Sequence, residues 1–276
     1  VITPVAELKP IPLSGSVISR ATLHNESEVI RKDVRVGDTV FIEKGGDVIP
    51  KVVKVNFNKR SDSSKPWSMP LRCPSCKTAL EKKGTIKAIF CPNTSMCYEQ
   101  NLRRLAFFCS KQSMNIDSLG PEIIRKLVDH KLVVNFSDIF LLKKNHFEGL
   151  EGFQEKSINN LLKSINQSKN TTLARFILAI GIPYVGQKTA ELLADYAKSM
   201  ESVIEISKEL LIAIEAIGET VAESVREFFS NEQNLKEVFR LISLGVDPKN
   251  DSKILKNHSF QGKTFVITGS FNSFSR

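Results

Sequence analysis

No stretch of this chain is apolar for long enough to cross a bilayer as a helix, which takes about 20 residues, so a helical membrane protein is excluded. No secretory signal peptide that would suggest an oxidising compartment is recognisable. What remains is ordinary for a soluble protein. The 276 residues, 41% hydrophobic and 25% charged, are enough for two or more domains.

Acidic residues are too few to balance the basic ones, since 39 Lys and Arg face 30 Asp and Glu. The excess lies early in the chain: residues 1–66 contain 11 basic and 8 acidic residues, and residues 67–100 contain 5 and 2. Residues 101–258 are nearly neutral, with 21 and 20. A polyanion such as nucleic acid is a sensible partner for the early part. A solvated surface with a modest positive bias fits the charge almost as well.

Cysteine is scarce, yet four of the five cysteines fall within 25 positions, at Cys73, Cys76, Cys91 and Cys97. A pair two residues apart forms a tight knuckle, and a second pair brought over by a short hairpin completes the tetrahedral sulfur shell that zinc prefers. The spacing predicts one structural zinc site with no open position for catalysis. Two disulfides or ordinary buried thiols are the alternatives. The fifth cysteine, Cys109, lies in an apolar run and is predicted to be a core residue.

Residues 1–66 read as β-rich. Strands are predicted at Thr39–Glu43 and from Val48 to Val55, and Asn25 with Glu28 three residues later predicts a helix start. Short strands around one small helix favour a small β-barrel such as an OB-fold, and an SH3-like barrel fits the pattern nearly as well. A polar linker is expected at residues 58–66, followed by the zinc module at residues 67–100.

A repeat then appears in a helical region, residues 101–245. Each copy has an apolar residue, a second one three positions later, and a final turn residue before an amphipathic stretch. The final residues are 34, 32 and 32 positions apart. The four copies, called hairpins 1 to 4 below, are residues 116–120, 150–154, 182–186 and 214–218.

This pattern is typical of helix–hairpin–helix motifs. A small residue lets the chain turn with positive φ, and the second helix then starts with free N–H groups that can hold a DNA phosphate. Such contacts position a protein on the DNA backbone without reading its sequence. A plain helical bundle with glycine-containing turns is the alternative.

The four copies are not equal. The third position, where a small residue is expected, holds Ser118, Gly152, Tyr184 or Ala216. The final position holds Gly120, Gln154, Gly186 or Gly218. Only hairpin 2 lacks glycine at the final position. If that position takes a positive φ, Gln154 is strained there. The sequence therefore predicts that hairpin 2 grips phosphate least well.

The chain closes with a polar linker at residues 246–258 and, at residues 259–276, a strand ending on a glycine turn that opens a further domain. The fold class expected for the whole is multi-domain α+β. It comprises a small OB-type β-barrel (1–66), a four-cysteine zinc finger (67–100), an all-α domain of tandem helix–hairpin–helix motifs (101–245), a linker, and the start of another domain.

Taken together, these motifs resemble the C-terminal two-thirds of the bacterial NAD-dependent DNA ligases. The resemblance covers essentially every residue in family order. The most specific parts are the cysteine spacing and the Ala-Thr-Leu-His-Asn stretch, and the stretch from residue 262 looks like the start of the family's BRCT domain. The residues that carry it are Thr3–Ala6, Ala21–Asn25, Val36–Asp38, Gly46–Pro50, the four cysteines, Leu150–Phe153, Ala179–Ile182 and Gly262–Gly269.

The resemblance implies a function. The family seals nicks in duplex DNA during replication and repair, joining a 3′-hydroxyl to a 5′-phosphate after NAD has adenylated a lysine. That lysine sits in a Lys-x-Asp-Gly motif, which this chain lacks. The chain is therefore expected to be the DNA clamp of a longer, cytoplasmic and nucleoid-associated bacterial enzyme that acts as a monomer. NAD and Mg²⁺ would bind upstream, one zinc ion would bind here, and the chain would be inactive alone.

DNA-facing residues are expected in the barrel and at the hairpins. In the barrel, Arg20 and His24 flank the family-like motif, and Lys44 and Lys51 bracket a glycine hairpin. Each has a solvated surface residue as its alternative, and His24 is as well explained by a structural role. The hairpin residues expected to lie at the DNA are Gly120, Gly152, Gly186 and Gly218.

Two other functions fit the same motifs. One is a stand-alone, non-catalytic DNA-binding protein of repair or recombination, which predicts a natural start near Val1 and a preference for branched DNA. The other is a zinc-dependent protein-interaction module, which predicts no salt-dependent DNA binding. Val1 is not a natural start and Arg276 ends within a domain, so a fragment of a ligase is the expectation.

Overall fold

The computed structural model describes residues 1–13, 15–43, 49–82, 88–94 and 96–250. The chain divides into two compact units, with the boundary between Leu105 and Ala106. Within the described residues, no helix combines the length and the apolar character that crossing a bilayer would require. The domain expected to open at residue 259 lies outside the described residues, as does Lys44.

The first unit is built on a four-stranded sheet with the order β1-β2-β4-β3. β1 (Val5–Leu13) pairs antiparallel with β2 (Ser16–Thr22), and β3 (Val40–Glu43) pairs antiparallel with β4 (Lys51–Val55). β2 and β4 run parallel and join the two hairpins. The core on one face of this half-barrel contains Ala21, Leu23, Val29, Val34, Val52 and Val55.

The helix predicted after Asn25 is present as α1 (Glu26–Lys32). The Asn25 side chain accepts a hydrogen bond from the Glu28 amide at 3.0 Å, which satisfies one of the free donors at the helix start. Asp33 ends the helix in the left-handed conformation. The N-cap prediction is confirmed.

The predicted returning strand begins later than expected. The ladder with β3 starts at Lys51, because Pro50 has no N–H to donate. The Pro50 carbonyl instead accepts a hydrogen bond from Thr22 of β2 at 2.8 Å. The turn expected at residues 44–47 and Val48 lie outside the described residues.

The segment predicted as a linker after β4 is fastened to the barrel at its start. Phe57–Lys59 forms a single 3-10 turn, and the Arg60 guanidinium then donates to the Asp38 carboxylate at 2.9 and 2.7 Å and to Asp33. The Asp38 side chain is only 1% exposed. The predicted linker is therefore anchored at its start by Arg60, whose ion pair with the Asp38 carboxylate is buried. A linker pattern in sequence does not reveal a carboxylate partner more than 20 positions away.

We expect Arg60→Ala to destabilise the first unit, because it leaves the buried Asp38 carboxylate without its cation. The Arg60 hydrogen bond lowers the pKa of Asp38. Its stabilisation is therefore complete above the unfolded pKa of about 3.9 and is lost as the pH falls through the lower folded value. Thermal unfolding should show a Tm lower by about 5 °C or more at pH 7, with the difference narrowing below about pH 4. An unchanged Tm at pH 7 would contradict a stabilising role for the Arg60–Asp38 ion pair.

After the barrel, β5 (Glu81–Lys82) and β6 (Ile89–Phe90) form a short antiparallel hairpin within the same unit. The Ile2 amide donates to the Ile89 carbonyl at 2.8 Å, and the Lys82 ammonium lies 2.9 Å from the Glu26 carboxylate. The helix α2 (Tyr98–Cys109) follows. The small hairpin is thus fixed to the barrel by both main-chain and side-chain contacts.

The second unit is mainly helical. Its helices have short apolar faces; in α5, for example, Ile158, Leu161 and Ile165 are buried at spacings of three and four. The elements are α3 (Pro121–Asp129), α4 (Phe136–Ile139), a 3-10 helix (Lys144–Phe147), α5 (Glu155–Ser168), β7 (Asn170–Thr172), α6 (Leu173–Ala179), α7 (Gln187–Ala197), α8 (Met200–Glu205), α9 (Lys208–Ala213), α10 (Glu219–Ser230), α11 (Glu232–Ser243) and β8 (Asp247–Lys249).

The linker predicted from residue 246 is wrong at its start. Val246 is buried, and β8 pairs in parallel with β7. The Asp247 amide also donates to the Lys169 carbonyl at 2.8 Å. A backbone ladder between residues nearly 80 positions apart leaves no local pattern in the sequence, which is why the segment looked like a linker. Residues 251–258 lie outside the described residues.

Aromatic stacking and side-chain hydrogen bonds join the helices of the second unit. Phe108 stacks on Phe136 with ring centroids 4.5 Å apart. Cys109 is buried, and burial raises the pKa of its thiol, as expected of a core residue. The Glu237 carboxylate of α11 accepts hydrogen bonds from the Ser137 amide at 2.7 Å and the Ser137 hydroxyl at 3.1 Å. These contacts hold α11 against α4.

Candidate metal centre and phosphate-binding turns

The four cysteines predicted as metal ligands converge. Their sulfur atoms all lie within 4.8 Å of one another, with 3.9 Å between Cys73 and Cys97 and 3.5 Å between Cys76 and Cys91. A tetrahedral zinc ion with Zn–S bonds of about 2.3 Å requires sulfur atoms about 3.8 Å apart. No disulfide joins these cysteines. The cluster therefore has the dimensions of a metal centre and could hold a metal ion through four protein sulfurs.

Local backbone structure explains how the first pair comes together. The Cys73 amide donates to the Thr78 carbonyl at 2.8 Å, and the Lys77 amide donates to the Cys73 carbonyl at 2.9 Å. Lys77 takes a positive φ of 60° to close this knuckle behind Cys76. The second pair is placed by β6, which ends directly before Cys91, and by α2, which begins directly after Cys97.

The surroundings of the sulfurs favour a bound cation. The Thr78 hydroxyl lies 3.3 Å from the Cys76 sulfur and lowers the pKa of that thiol to about 6. Burial raises the pKa of Cys91 to about 12 in the metal-free protein. Gln100 donates from its side-chain amide to the Cys91 and Asn93 carbonyls, at 3.2 and 2.9 Å, and so holds the second knuckle. A metal ion would supply the charge that a buried thiolate otherwise lacks.

All four predicted hairpins adopt the same turn. In each, the amide just before the final residue donates to the carbonyl three positions earlier, and the carbonyl of the final residue then accepts the first bond of the second helix. The four turn bonds are Leu119 to Ile116 (3.3 Å), Phe153 to Leu150 (3.4 Å), Val185 to Ile182 (3.1 Å) and Ile217 to Ile214 (3.0 Å). The repeat is therefore a repeat of backbone conformation.

The prediction of strain at Gln154 assumed a positive φ at the final residue of each hairpin. The structure instead has positive φ at the third residue, which is Ser118 (65°), Gly152 (88°), Tyr184 (62°) or Ala216 (68°). The final residues are extended N-caps instead, with φ of −77° at Gly120, −117° at Gln154, −89° at Gly186 and −88° at Gly218. Any residue adopts that conformation, so the strain predicted for Gln154 is absent. Hairpin 2 is the one copy with glycine where φ is positive, and the argument that made it the weakest is wrong.

Three side-chain bonds hold the turns in pairs. The Asp117 amide of hairpin 1 donates to the Ser164 hydroxyl of α5 at 2.7 Å. The Lys126 ammonium of α3 donates to the Glu151 carbonyl of hairpin 2 at 3.0 Å. The Ser224 hydroxyl of α10 donates to the Pro183 carbonyl of hairpin 3 at 2.7 Å. Hairpins 1 and 2 thus brace each other, as do hairpins 3 and 4.

Charges at the start of the second helices differ among the hairpins, which the sequence analysis missed. Glu155 begins α5 and Glu219 begins α10, whereas the first turn of α7 contains no acidic residue. Lys144 is hydrogen-bonded to Glu155 and lowers the pKa of that carboxyl. Glu219 likewise raises the pKa of Lys208.

Of the described barrel residues predicted to face DNA, Arg20 and Lys51 are exposed and each lies beside a carboxylate. Arg20 of β2 lies 3.7 Å from Glu7 on β1, and Lys51 of β4 lies 3.4 Å from Glu43 on β3. His24 is exposed in the left-handed conformation, with its amide donating to the Thr22 hydroxyl at 3.1 Å. Thr22, two positions after Arg20 on β2, is the partner of Lys51 across β2 and β4.

One cavity in the first unit had no sequence signal. It measures about 730 Å³, and its lining includes apolar residues of β1, the α1–β3 connection and β3. Trp67, from the start of the predicted zinc module, also lines it and packs against the barrel core. β1 and β3, which both contribute to this lining, are the edge strands of the sheet among the described strands.

The fold and site together define a modular protein in which an OB-type half-barrel precedes a four-cysteine centre and tandem helix–hairpin–helix turns. Family models agree: residues 1–64 match the NAD-dependent DNA ligase OB-fold domain, and residues 175–238 match the helix–hairpin–helix motif. The chain is a homologue of bacterial DNA ligases, and its resemblance to the NAD-dependent class is confirmed.

The relatives align with the whole of this chain but are much longer, so the chain corresponds to about 42% of such a protein and the expected share of two-thirds is wrong. A DNA ligase of Protochlamydia amoebophila is 48% identical over 277 residues, which is 42% of that protein. A DNA ligase of Chlamydia felis is 44% identical and one of Geotalea uraniireducens is 42% identical, each over 276 residues. In both of these the chain spans about 41% of the relative's length.

Proposed function

We propose that this chain is the DNA-binding part of an NAD-dependent DNA ligase that seals nicks in duplex DNA during replication and repair. The observation that carries the proposal is the set of four identical turns, in a chain that aligns over all of its residues with proteins named DNA ligase. Each turn exposes the start of a helix of nine or more residues. The first amides of such a helix have no partner within it.

The hairpins bind the DNA backbone in this proposal. Gly120, Gly152, Gly186 and Gly218 are all exposed, and the space within 4 Å of the Cβ position is open at Gly120, Gly186 and Gly218. Amide donors and the helix dipole hold a phosphate without a cationic side chain. Contacts of this kind suit an enzyme that must act at any nick, since they do not depend on base sequence.

Zinc is the metal proposed for the four-cysteine centre, with Cys73, Cys76, Cys91 and Cys97 as its ligands. Four sulfur ligands at these distances suit zinc, and a closed four-sulfur shell serves structure and leaves no position for substrate. The proposed modules are the barrel at residues 1–66, the zinc finger at 67–100 and the helical domain at 101–245. A BRCT domain beginning near residue 259 is part of the same proposal.

The chemistry of ligation is placed outside this chain. The chain has no Lys-x-Asp-Gly motif to carry AMP, so NAD and Mg²⁺ are proposed to bind elsewhere in the complete enzyme. The residues of this chain hold and position the duplex while the 5′-phosphate and 3′-hydroxyl react. The complete enzyme is proposed to act as a monomer at the bacterial nucleoid.

Titration of a labelled nicked duplex at several salt concentrations tests the proposal. We expect binding that weakens as salt rises, because phosphate contacts release counterions. Incubation with NAD and Mg²⁺ should yield no AMP bound to the isolated chain. Salt-independent or absent DNA binding would reject the DNA-binding role, and formation of an AMP–lysine adduct would reject the division of labour.

The same titration examines the barrel. Arg20→Ala and Lys51→Ala should each weaken nick binding and reduce the slope of log affinity against log salt by about 1, if these cations contact phosphate. Arg31→Ala is the matched control, because Arg31 is an exposed cation paired with Glu28 on α1. Equal behaviour of the three variants would remove Arg20 and Lys51 from the interface.

A further inference from the structure

The second and fourth hairpins share a lysine–glutamate pair at the start of the second helix. Lys144 is the first residue of its 3-10 helix, and its ammonium lies 2.5 Å from the carboxylate of Glu155, the first residue of α5. Lys208 is the first residue of α9, and its ammonium lies 3.1 Å from Glu219, the first residue of α10. In each pair the lysine and the glutamate are 11 positions apart in sequence. The same arrangement therefore occurs in two copies of the repeat.

The two glutamates occupy a position that is unfavourable for a helix end meant to approach phosphate. A carboxylate in the first turn stabilises the helix through the dipole, but it repels a second anion at the same amides. Hairpin 3 avoids this conflict, since the first turn of α7 contains no acidic residue. Hairpin 1 has Pro121 at the first helical position and its acid, Glu122, one position later. In hairpins 2 and 4 the first helical residue is a glutamate, and the ammonium group of a lysine lies beside its carboxylate.

We propose that Lys144 and Lys208 are positioning residues that neutralise Glu155 and Glu219, so that hairpins 2 and 4 can approach a DNA phosphate. This inference rests on the proposed DNA-binding function and extends it to residues that would not touch the DNA themselves. Glu223 lies 4.0 Å from the Lys208 ammonium and adds to the acid that this lysine balances. Glu148 acts on Lys144 in the same sense from a greater distance.

The alternative role for each lysine is direct contact with phosphate, and the geometry favours neutralisation. Each ammonium is within hydrogen-bonding distance of its carboxylate. If a lysine moved to a phosphate, it would leave an unpaired carboxylate beside that same phosphate. A lysine that stays on its carboxylate forms a pair with no net charge, and such a pair does not repel the phosphate.

A double-mutant comparison separates the two roles, with nicked-duplex affinity as the readout. Lys144→Ala should weaken binding about threefold to tenfold by exposing Glu155. The double variant Lys144→Ala with Glu155→Gln has the net charge of the wild type and should recover to within about twofold of it. Lys208→Ala and its combination with Glu219→Gln should behave in the same way.

The controls make the comparison decisive. Lys236→Ala removes a cation from an exposed pair with Glu232 on α11, at 3.1 Å, and measures the effect of lost charge alone. Circular dichroism and thermal unfolding check that every variant is folded. Failure of the double variants to recover, with a salt slope lower by about 1 for each lysine, would show direct contact and overturn the inference. Single variants that match Lys236→Ala would also overturn it, whereas a wild type that does not bind DNA would instead reject the proposed function.

Discussion

A Cys91→Ser variant is expected to lose the zinc ion proposed for the four-cysteine centre, together with the folded structure around residues 67–100. Cys91 is buried among the other three sulfurs, and a serine hydroxyl is a poor ligand in a sulfur shell. A module this small depends on its metal for folding, because it buries little apolar surface. Metal analysis of the purified protein should fall from about one zinc per chain to near zero. Limited proteolysis should then cut within the cysteine segment.

Cys109→Ala is the matched control for this loss. Cys109 is equally buried but belongs to the core of the second unit, so the variant should retain its zinc. Metal loss in both variants would mean that the effect is general unfolding and not ligation.

Loss of zinc should also weaken nick binding, although none of the cysteines is proposed to touch DNA. In sequence the zinc module connects the barrel to the helical region, and its β5–β6 hairpin is bonded to the barrel at Ile2 and Glu26. When the module unfolds, the elements proposed to bind DNA before and after it in the chain are no longer joined through a folded segment. A zinc-free Cys91→Ser protein that binds a nicked duplex as well as the wild type would show that the module is not a structural connector.

Two glycine variants should distinguish a loss of stability, caused by strain in the turn, from a loss of DNA affinity, caused by covering the start of the second helix. Gly152→Val forces a β-branched residue to a φ of +88°, where it should lower stability by about 1–3 kcal/mol. Gly186→Val has an extended backbone with open space around a Cβ, so its stability should change by about 1 kcal/mol or less. Its added methyl groups would stand where a phosphate must approach. We therefore expect Gly186→Val to reduce nicked-duplex affinity about tenfold while it remains folded.

Denaturant unfolding and DNA titration of both variants check this pair of expectations. Gly186→Ala provides a graded control, since one methyl group should reduce affinity less than valine does. A stable Gly152→Val would contradict the assigned turn geometry. A Gly186→Val protein with wild-type affinity would exclude hairpin 3 from the DNA contact.

Several local features could be read from the sequence because each depends on spacing along the chain. The Cys73–Cys76 knuckle and the Asn25 cap are set by backbone geometry within a few residues, and the structure places both as expected. The recurrence of the four turns at 32 to 34 positions was also visible. The conformation within each turn was not. Three of the four left-handed residues are Ser118, Tyr184 and Ala216, which carry no glycine signal.

A small β-rich part, a four-cysteine centre and four helical hairpins could be predicted from residue type and spacing alone. How charged groups meet within each unit became visible only in the folded structure. Arg60 is held by Asp38 and β8 pairs with β7, although Arg60 and β8 lie in segments predicted as linkers. Lys144 reaches Glu155, a pair for which the sequence analysis had no signal. The physical reason is that residue type and spacing fix local backbone geometry, whereas the partner of a charge or a strand edge depends on which distant segment folding brings beside it.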